Sequence, residues 1–182
     1  MYFAQGDYSK ALEYFEEVLK IRLSVYGENH SRVASVYNDI GEIYSVQGDD
    51  FKALDYFKKS LKIVLSVYGE NHSQVSSIYD HIGEVYFAQK DYSKALYYFE
   101  ESLKIRLSLF GENHPEVALS YYSIGSLYII QGDKSKALNY YEKSLKIRLS
   151  VYGENHPLTK EIMDLINVAA NSKVLQSPET TK

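Results

Sequence analysis

KALEYFEEVLKIRLSVYGENH runs from Lys10 to His30, and the chain writes the same stretch three more times. It returns as KALDYFKKSLKIVLSVYGENH at Lys52 to His72, KALYYFEESLKIRLSLFGENH at Lys94 to His114, and KALNYYEKSLKIRLSVYGENH at Lys136 to His156. The closing GENH begins at Gly27, Gly69, Gly111 and Gly153, a constant period of 42 residues. A fixed period of roughly 20–50 residues marks a solenoid or array, whose units bury their apolar faces only against their neighbours. The 182 residues therefore read as one quasi-linear array.

The residues between these stretches complete the unit. Ser31–Val46 carries Val33, Val36, Tyr37, Ile40, Ile43 and Tyr44, one apolar stripe of a helix. Gln47-Gly48-Asp49-Asp50 interrupts it, with Gly for a left-handed turn and Asp as the next N-cap. A second helix is predicted from about Phe51 to Val67, with Phe51, Ala53, Leu54, Phe57, Leu61, Val64 and Leu65 facing inward. On its outer side Asp55 and Lys59 pair at i, i+4, as do Glu16–Lys20, Glu100–Lys104 and Glu142–Lys146 in the other copies. Gly69 suits the C′ position of this helix, and Pro115 and Pro157 suit the first turn of the helices that follow their GENH loops.

Composition narrows the function. The formal charge of −4 lacks the basic patch that nucleic acid demands. The absence of Cys removes disulfides, thiol nucleophiles and Cys-based zinc sites. The opening MYFAQGDYSK has no signal-peptide pattern, and no apolar run approaches the ~18 residues of a membrane span. The expectation is a soluble, cytoplasmic protein. Asn29-His30-Ser31 and Asn71-His72-Ser73 match the glycosylation sequon, but the next two copies replace that Ser by Pro, so the matches read as by-products of the repeat.

The helix pair resembles the tetratricopeptide family, whose pattern is an aromatic, Leu-Gly, Tyr, Ala and Phe. The residues are Tyr37, Ile40-Gly41, Tyr44, Ala53, Phe57; then Tyr79, Ile82-Gly83, Tyr86, Ala95, Phe99; then Tyr121, Ile124-Gly125, Tyr128, Ala137, Tyr141. The resemblance implies an all-α, right-handed superhelical solenoid of antiparallel helix pairs. Gly on the first helix and Ala on the second would let the axes approach. The 42-residue period and the GENH loop, against the common form of about 34 residues, resemble kinesin light chains.

The predicted organisation is a truncated first repeat over residues 1–30, full units over 31–72, 73–114 and 115–156, a capping helix over 157–171 and a disordered tail over 172–182. Tyr2 falls in register as the last core aromatic of an incomplete first helix. The capping helix puts Met163, Ile166 and Ala170 at core positions, has Asn167 at the Gly position, and would lie over the helix from Ser135 to Val151. The incomplete first repeat leaves Leu12, Phe15 and Leu19 short of cover, which predicts self-association or a longer parent array.

No catalytic constellation is visible: there is no G-x-S-x-G, Walker loop, G-x-G-x-x-G or H-E-x-x-H. His30, His72, His114 and His156 recur one per unit, and helices roughly 8–10 Å apart cannot bring them within the ~2.1 Å that zinc needs. They read as loop and helix-start residues, and neither metal nor cofactor is expected. The wealth of Tyr falls on packing positions rather than on a base-stacking platform.

In the family resembled, the first helices line a concave peptide groove. By register, the groove-facing residues are Ser35, Asn38, Asp39, Glu42 and Ser45, then Ser77, Asp80, His81, Glu84 and Phe87, then Leu119, Tyr122, Ser123, Ser126 and Ile129. No Lys or Arg stands at these positions, so the carboxylate clamp of chaperone-binding members does not carry over. Of the paired Asn that kinesin light chains use to hold a peptide backbone, Asn38 alone matches, beside Asp39; Asp80-His81 and Tyr122-Ser123 depart. The reading is a protein-interaction scaffold or adaptor. Asp39, Glu42, Asp80 and Glu84 would attract a basic peptide, and Phe87, Leu119, Tyr122 and Ile129 would take an apolar anchor. Two alternatives stay open: the non-catalytic repeat portion of a larger enzyme or motor adaptor, and a self-assembling array.

Overall fold

Turn residues and caps divide the described residues into eight helices in the order the sequence implies. The structure, a computed structural model, describes residues 8–171. They are α1 (Tyr8–Tyr26), α2 (Ser31–Val46), α3 (Asp50–Tyr68), α4 (Ser73–Ala88), α5 (Tyr92–Phe110), α6 (Pro115–Ile130), α7 (Lys134–Tyr152) and α8 (Pro157–Asn171). No strand occurs among the described residues. Tyr2 and the tail over 172–182 lie outside them.

The chain divides into two compact units, Met1–Gly111 and Glu112–Lys182. In the first, α2 packs on α3 and α4 on α5 as antiparallel pairs, with α1 against α2, α3 against α4, and α2 beside α4. In the second, α6 pairs with α7, and α8 packs against α7.

Each pair closes on the Gly of its first helix. A Cβ placed on Gly41 would lie 2.7 Å from the Phe57 ring; on Gly83, 2.7 Å from Phe99; on Gly125, 2.7 Å from Tyr141. Ala53, Ala95 and Ala137 on the second helices are fully buried. Buried serines add a tie that the apolar pattern did not reveal: Ser60 Oγ donates to Ala34 O at 2.8 Å, and Ser144 Oγ to Ala118 O at 2.7 Å.

The helix starts are specific. Asp49, Asp91 and Asp133 accept from the N–H of Lys52, Lys94 and Lys136 as N-caps. The loop histidines are N-caps as well. Nδ1 accepts from the N–H of Arg32, Gln74, Glu116 and Leu158 at 3.1–3.3 Å in His30, His72, His114 and His156 respectively. Nδ1 follows Cγ as the Oδ1 of Asn does, so the ring can stand in for that commoner cap. In His30, His72 and His156 the ring also stacks on the last Tyr of the preceding helix; His72 lies 4.2 Å from Tyr68 at 9°. His72→Ala should cost about 1–2 kcal/mol by losing cap and stack together. His72→Asn should recover roughly the cap share, and urea melts of the two variants measure the split.

Four expectations are corrected. Phe51 is 84% exposed rather than inward. Its equivalents are Ser9, Ser93 and Ser135, so the position belongs to the solvent face. In α8 the buried residues are Thr159, Ile162 and Ala169, while Ala170 and Asn167 are exposed and Met163 and Ile166 are half-buried. Gly69 ends α3 with φ 77° and ψ −177°, an extended conformation open essentially to Gly alone, and not the left-handed helical one. Of the predicted surface ion pairs, Asp55–Lys59 closes at 2.7 Å, but Lys104 reaches Glu101 instead of Glu100, and Glu16–Lys20 and Glu142–Lys146 stay apart. Such pairs carry little stability in either case.

Candidate functional site

The 42-residue offset sets α4 beside α2 with matching positions facing one way, and polar residues there join into a network. His81 Nδ1 lies 3.0 Å from Asn38 Oδ1. Asn38 Nδ2 donates to Glu42 Oε1 at 2.6 Å, and His81 Nε2 stands 3.7 Å from that same oxygen. The His81 ring packs on Phe57, 5.2 Å between centroids. A neutral His81 that donates from Nδ1 satisfies this chain. Burial holds its pKa low, with the Asp80 charge opposing and Arg106 adding.

Asp80 is answered from within the chain. Arg106 Nη2 on α5 meets Asp80 Oδ2 at 2.7 Å, with the Arg side chain 5% exposed and the Asp 18%. Burial still pushes the Asp80 carboxyl upward against the pull of Arg106. The expectation that Asp80 offers a free negative charge is therefore corrected, and Arg106 is a residue the sequence reading missed. A signal for it existed. Asp80 and Arg106 are separated by the same 26 residues as Ser60 and Ala34.

The other three carboxylates lack such a partner; among the described residues no Lys or Arg forms an ion pair with Asp39, Glu42 or Glu84. All three are shifted upward. Asp39 rises from 3.8 to about 6, chiefly through burial and then the charge of Glu42, with Arg22 pulling the other way. Burial raises Glu42 against its Asn38 hydrogen bond. Glu84, exposed on α4, is raised by desolvation of its carboxyl and then by Asp80 and Glu42. Ser35, Asn38, Asp39, Gln74 and Ser77 also line a cavity of about 110 Å³ between α2 and α4.

The Asp39 shift makes a pH prediction. Folded Asp39 binds its proton up to about pH 6, whereas the unfolded carboxyl releases it near 3.8. The stability it contributes is present below 3.8 and lost as pH rises through about 6. The shift is nominally about 3 kcal/mol. Solvent access cuts the expected gain from Asp39→Asn to about 1 kcal/mol, or about 2–4 °C in midpoint. Thermal melts should show that gain at about pH 8 and none at about pH 4.

In the second unit, Leu119 and Ile129 are exposed on α6, at 46% and 37%. Tyr122 is engaged: its hydroxyl donates to Glu161 Oε1 at 3.2 Å and its ring lies 5.0 Å under the Arg148 guanidinium. Ser126 Oγ donates to Tyr122 O and accepts from the Tyr141 hydroxyl, a packing role. In the first unit, Phe87 is half-buried with its ring edge-on to Tyr92 at 5.9 Å.

The sequence-family model described as Tetratricopeptide repeat matches residues 1–64, 32–108 and 74–150. No curated protein sequence matches the chain. Among solved structures, BtubC (BKLC) from P. vanneervenii aligns with a TM-score of 0.83 at 23% identity, over 92% of this chain and 67% of that one. A P. anserina kinesin light chain with nearly identical TPR-like repeats aligns at 0.77 and 17% identity, over 92% of this chain and 80% of that one. The apo form of RapI aligns at 0.77 and 18% identity, over 92% of this chain and 58% of that one. At these identities the likeness speaks for an all-α helical-repeat fold alone.

Proposed function

Because the chain belongs to the tetratricopeptide repeat family, whose repeats generally mediate protein–protein interaction, we propose that it is a scaffold or adaptor that docks a basic peptide along the α2–α4 face of the first unit. The fold is typically non-catalytic, in keeping with an interaction role. One observation carries the reading: Asp39, Glu42 and Glu84 share that face, form no ion pair with Lys or Arg among the described residues, and are all shifted upward. Crowded carboxylates of this kind gain from an incoming positive charge, and the gain is screened by salt. Phe87 in this unit is an apolar position such a peptide would cover; Leu119 and Ile129 are apolar positions of the second unit open to a partner.

The test compares wild type with Asp39→Lys/Glu42→Lys/Glu84→Lys on a peptide array. Lys/Arg-bearing peptides should bind the wild type, more weakly as salt is raised, and the variant should lose them. Acidic peptides that bind the wild type equally well would sink the reading.

A second reading, self-association through α1, has its own observation. Val18, Ile21, Val25 and Tyr26, together with Arg22, Arg32 and Ser35, line an open and mainly apolar cavity of about 510 Å³. Ile21 is 62% exposed, whereas the equivalent Ile63, Ile105 and Ile147 are buried. Light scattering at two concentrations decides it; a size that does not change with concentration removes it.

A further inference from the structure

We propose that the cavity between α2 and α4 receives the ammonium end of a lysine side chain carried by the partner peptide. This rests on the peptide-docking reading and adds which side chain enters, and where.

The hydrogen-bond inventory of the cavity points to that chemistry. Asn38 is spent, its amide nitrogen on Glu42 and its oxygen on His81. Ser35 is spent too: its hydroxyl donates to Arg32 O and accepts from Arg22 Nη1. Two acceptors remain unanswered. Gln74 Oε1 is fully buried and meets no donor among the described residues. No donor reaches the Asp39 carboxylate either, although the cavity wall desolvates it. Ser77 donates to Ser73 O and keeps its lone pairs. The nearby cation, Arg22, has its Nη1 on Arg32 O at 2.6 Å and Ser35 Oγ at 2.8 Å.

A cavity with a negative charge and unanswered acceptors calls for a ligand that brings several donors and a positive charge. A desolvated carboxylate left without a donor is costly, so an entrant that donates to Asp39 recovers that cost. A lysine ammonium has three donors and no acceptor. A carboxylate or phosphate would add acceptors beside Asp39 and be repelled. An aliphatic tip would leave the Asp39 carboxylate without a partner. A cavity of about 110 Å³ admits the compact ammonium, whose three donors turn freely toward acceptors that a planar guanidinium fork meets only in its own plane. Val64 and Ile78 add apolar wall for the methylene stem.

The direct probe is Nα-acetyl-lysine-methylamide, titrated into the isotope-labelled full chain by NMR beside its Nε-acetyl-lysine, norleucine and arginine analogues. The lysine probe should shift the amides of Ser35, Asp39, Gln74 and Ser77 and saturate, while the acetylated and norleucine analogues do not. Asp39→Asn should weaken it by about tenfold, equivalent to about 1.4 kcal/mol, and Gln74→Leu by less, with circular dichroism showing both variants folded. Identical shifts from norleucine, no change in Asp39→Asn, or tighter binding of the arginine analogue would overturn the assignment. A display library of random peptides separates the two claims. Peptides that bind the α2–α4 face without lysine keep the docking reading and remove the pocket. A saturable lysine probe with no peptide able to displace it keeps the pocket and removes the docking reading.

Discussion

Gly83→Val is expected to destabilise the protein by about 3 kcal/mol, at the upper end of the range for overpacking a core. The reason is local. A single Cβ at position 83 would sit 2.7 and 2.8 Å from two ring carbons of Phe99, closer than carbon atoms tolerate. Phe99 is buried, so its ring has little room to retreat. Two effects compete in the smaller change, Gly83→Ala. Removing Gly from a helix interior gains about 1 kcal/mol, whereas overpacking costs about 1–3 kcal/mol. The ring contact makes the net unfavourable. Val adds two methyl groups and forfeits part of the helix gain, since β-branched residues are poorer helix formers. Shortening the partner should relieve the clash, so Gly83→Val/Phe99→Leu should be more stable than Gly83→Val alone. Urea titrations of the four proteins in that cycle give the coupling directly. A Gly83→Val protein as stable as wild type would mean that the helices do not approach as closely as described.

Arg106→Leu is the second large effect, with an expected cost of about 3–5 kcal/mol. It strips the guanidinium from Asp80, 2.7 Å away, and leaves a mostly buried carboxylate without its counter-charge. Most of that cost is the stranded charge rather than the value of the pair, because burying two ions in contact recovers little more than their desolvation. The prediction therefore has a second half. Adding Asp80→Asn to Arg106→Leu should restore part of the loss, although each single change is harmful. The Arg106→Leu protein should also regain stability as pH falls, because its unpaired carboxylate can then take up a proton. Chemical denaturation of the four proteins in that cycle, repeated at acid and neutral pH, tests both halves. Additive losses would show that Asp80 and Arg106 act independently.

The helix boundaries and the Gly–aromatic contacts were legible because the period fixes register. Once Gly41 is aligned with Gly83 and Gly125, the stripes on both helices follow, and α2 falls at the predicted Ser31–Val46. Phe51 misled because its chemistry was weighed alone; the Ser at the equivalent positions of the other three copies marks a wet position. The candidate site was legible only in part. Register placed Asp39, Glu42, Asp80, His81 and Glu84 on first helices, but a one-helix reading cannot see what the paired helix supplies. Arg106 comes from α5, and the equivalent second-helix position next to Asn38's repeat is Val64. That difference leaves Asn38 to bind His81 and Glu42, while Asp80 takes an arginine. Near-identical repeats thus differ in what the second helix offers the first.

Asn167 carries a consequence for how such a chain can lengthen. Gly41, Gly83 and Gly125 each admit an aromatic ring against bare backbone, and Asn167 holds their place on α8. The Asn side chain fills the equivalent of the space in which Gly41 admits the Phe57 ring. Helix α8 lacks the notch by which α2, α4 and α6 grip their partners, and duplication of α8 would propagate a poor joint until that asparagine became glycine.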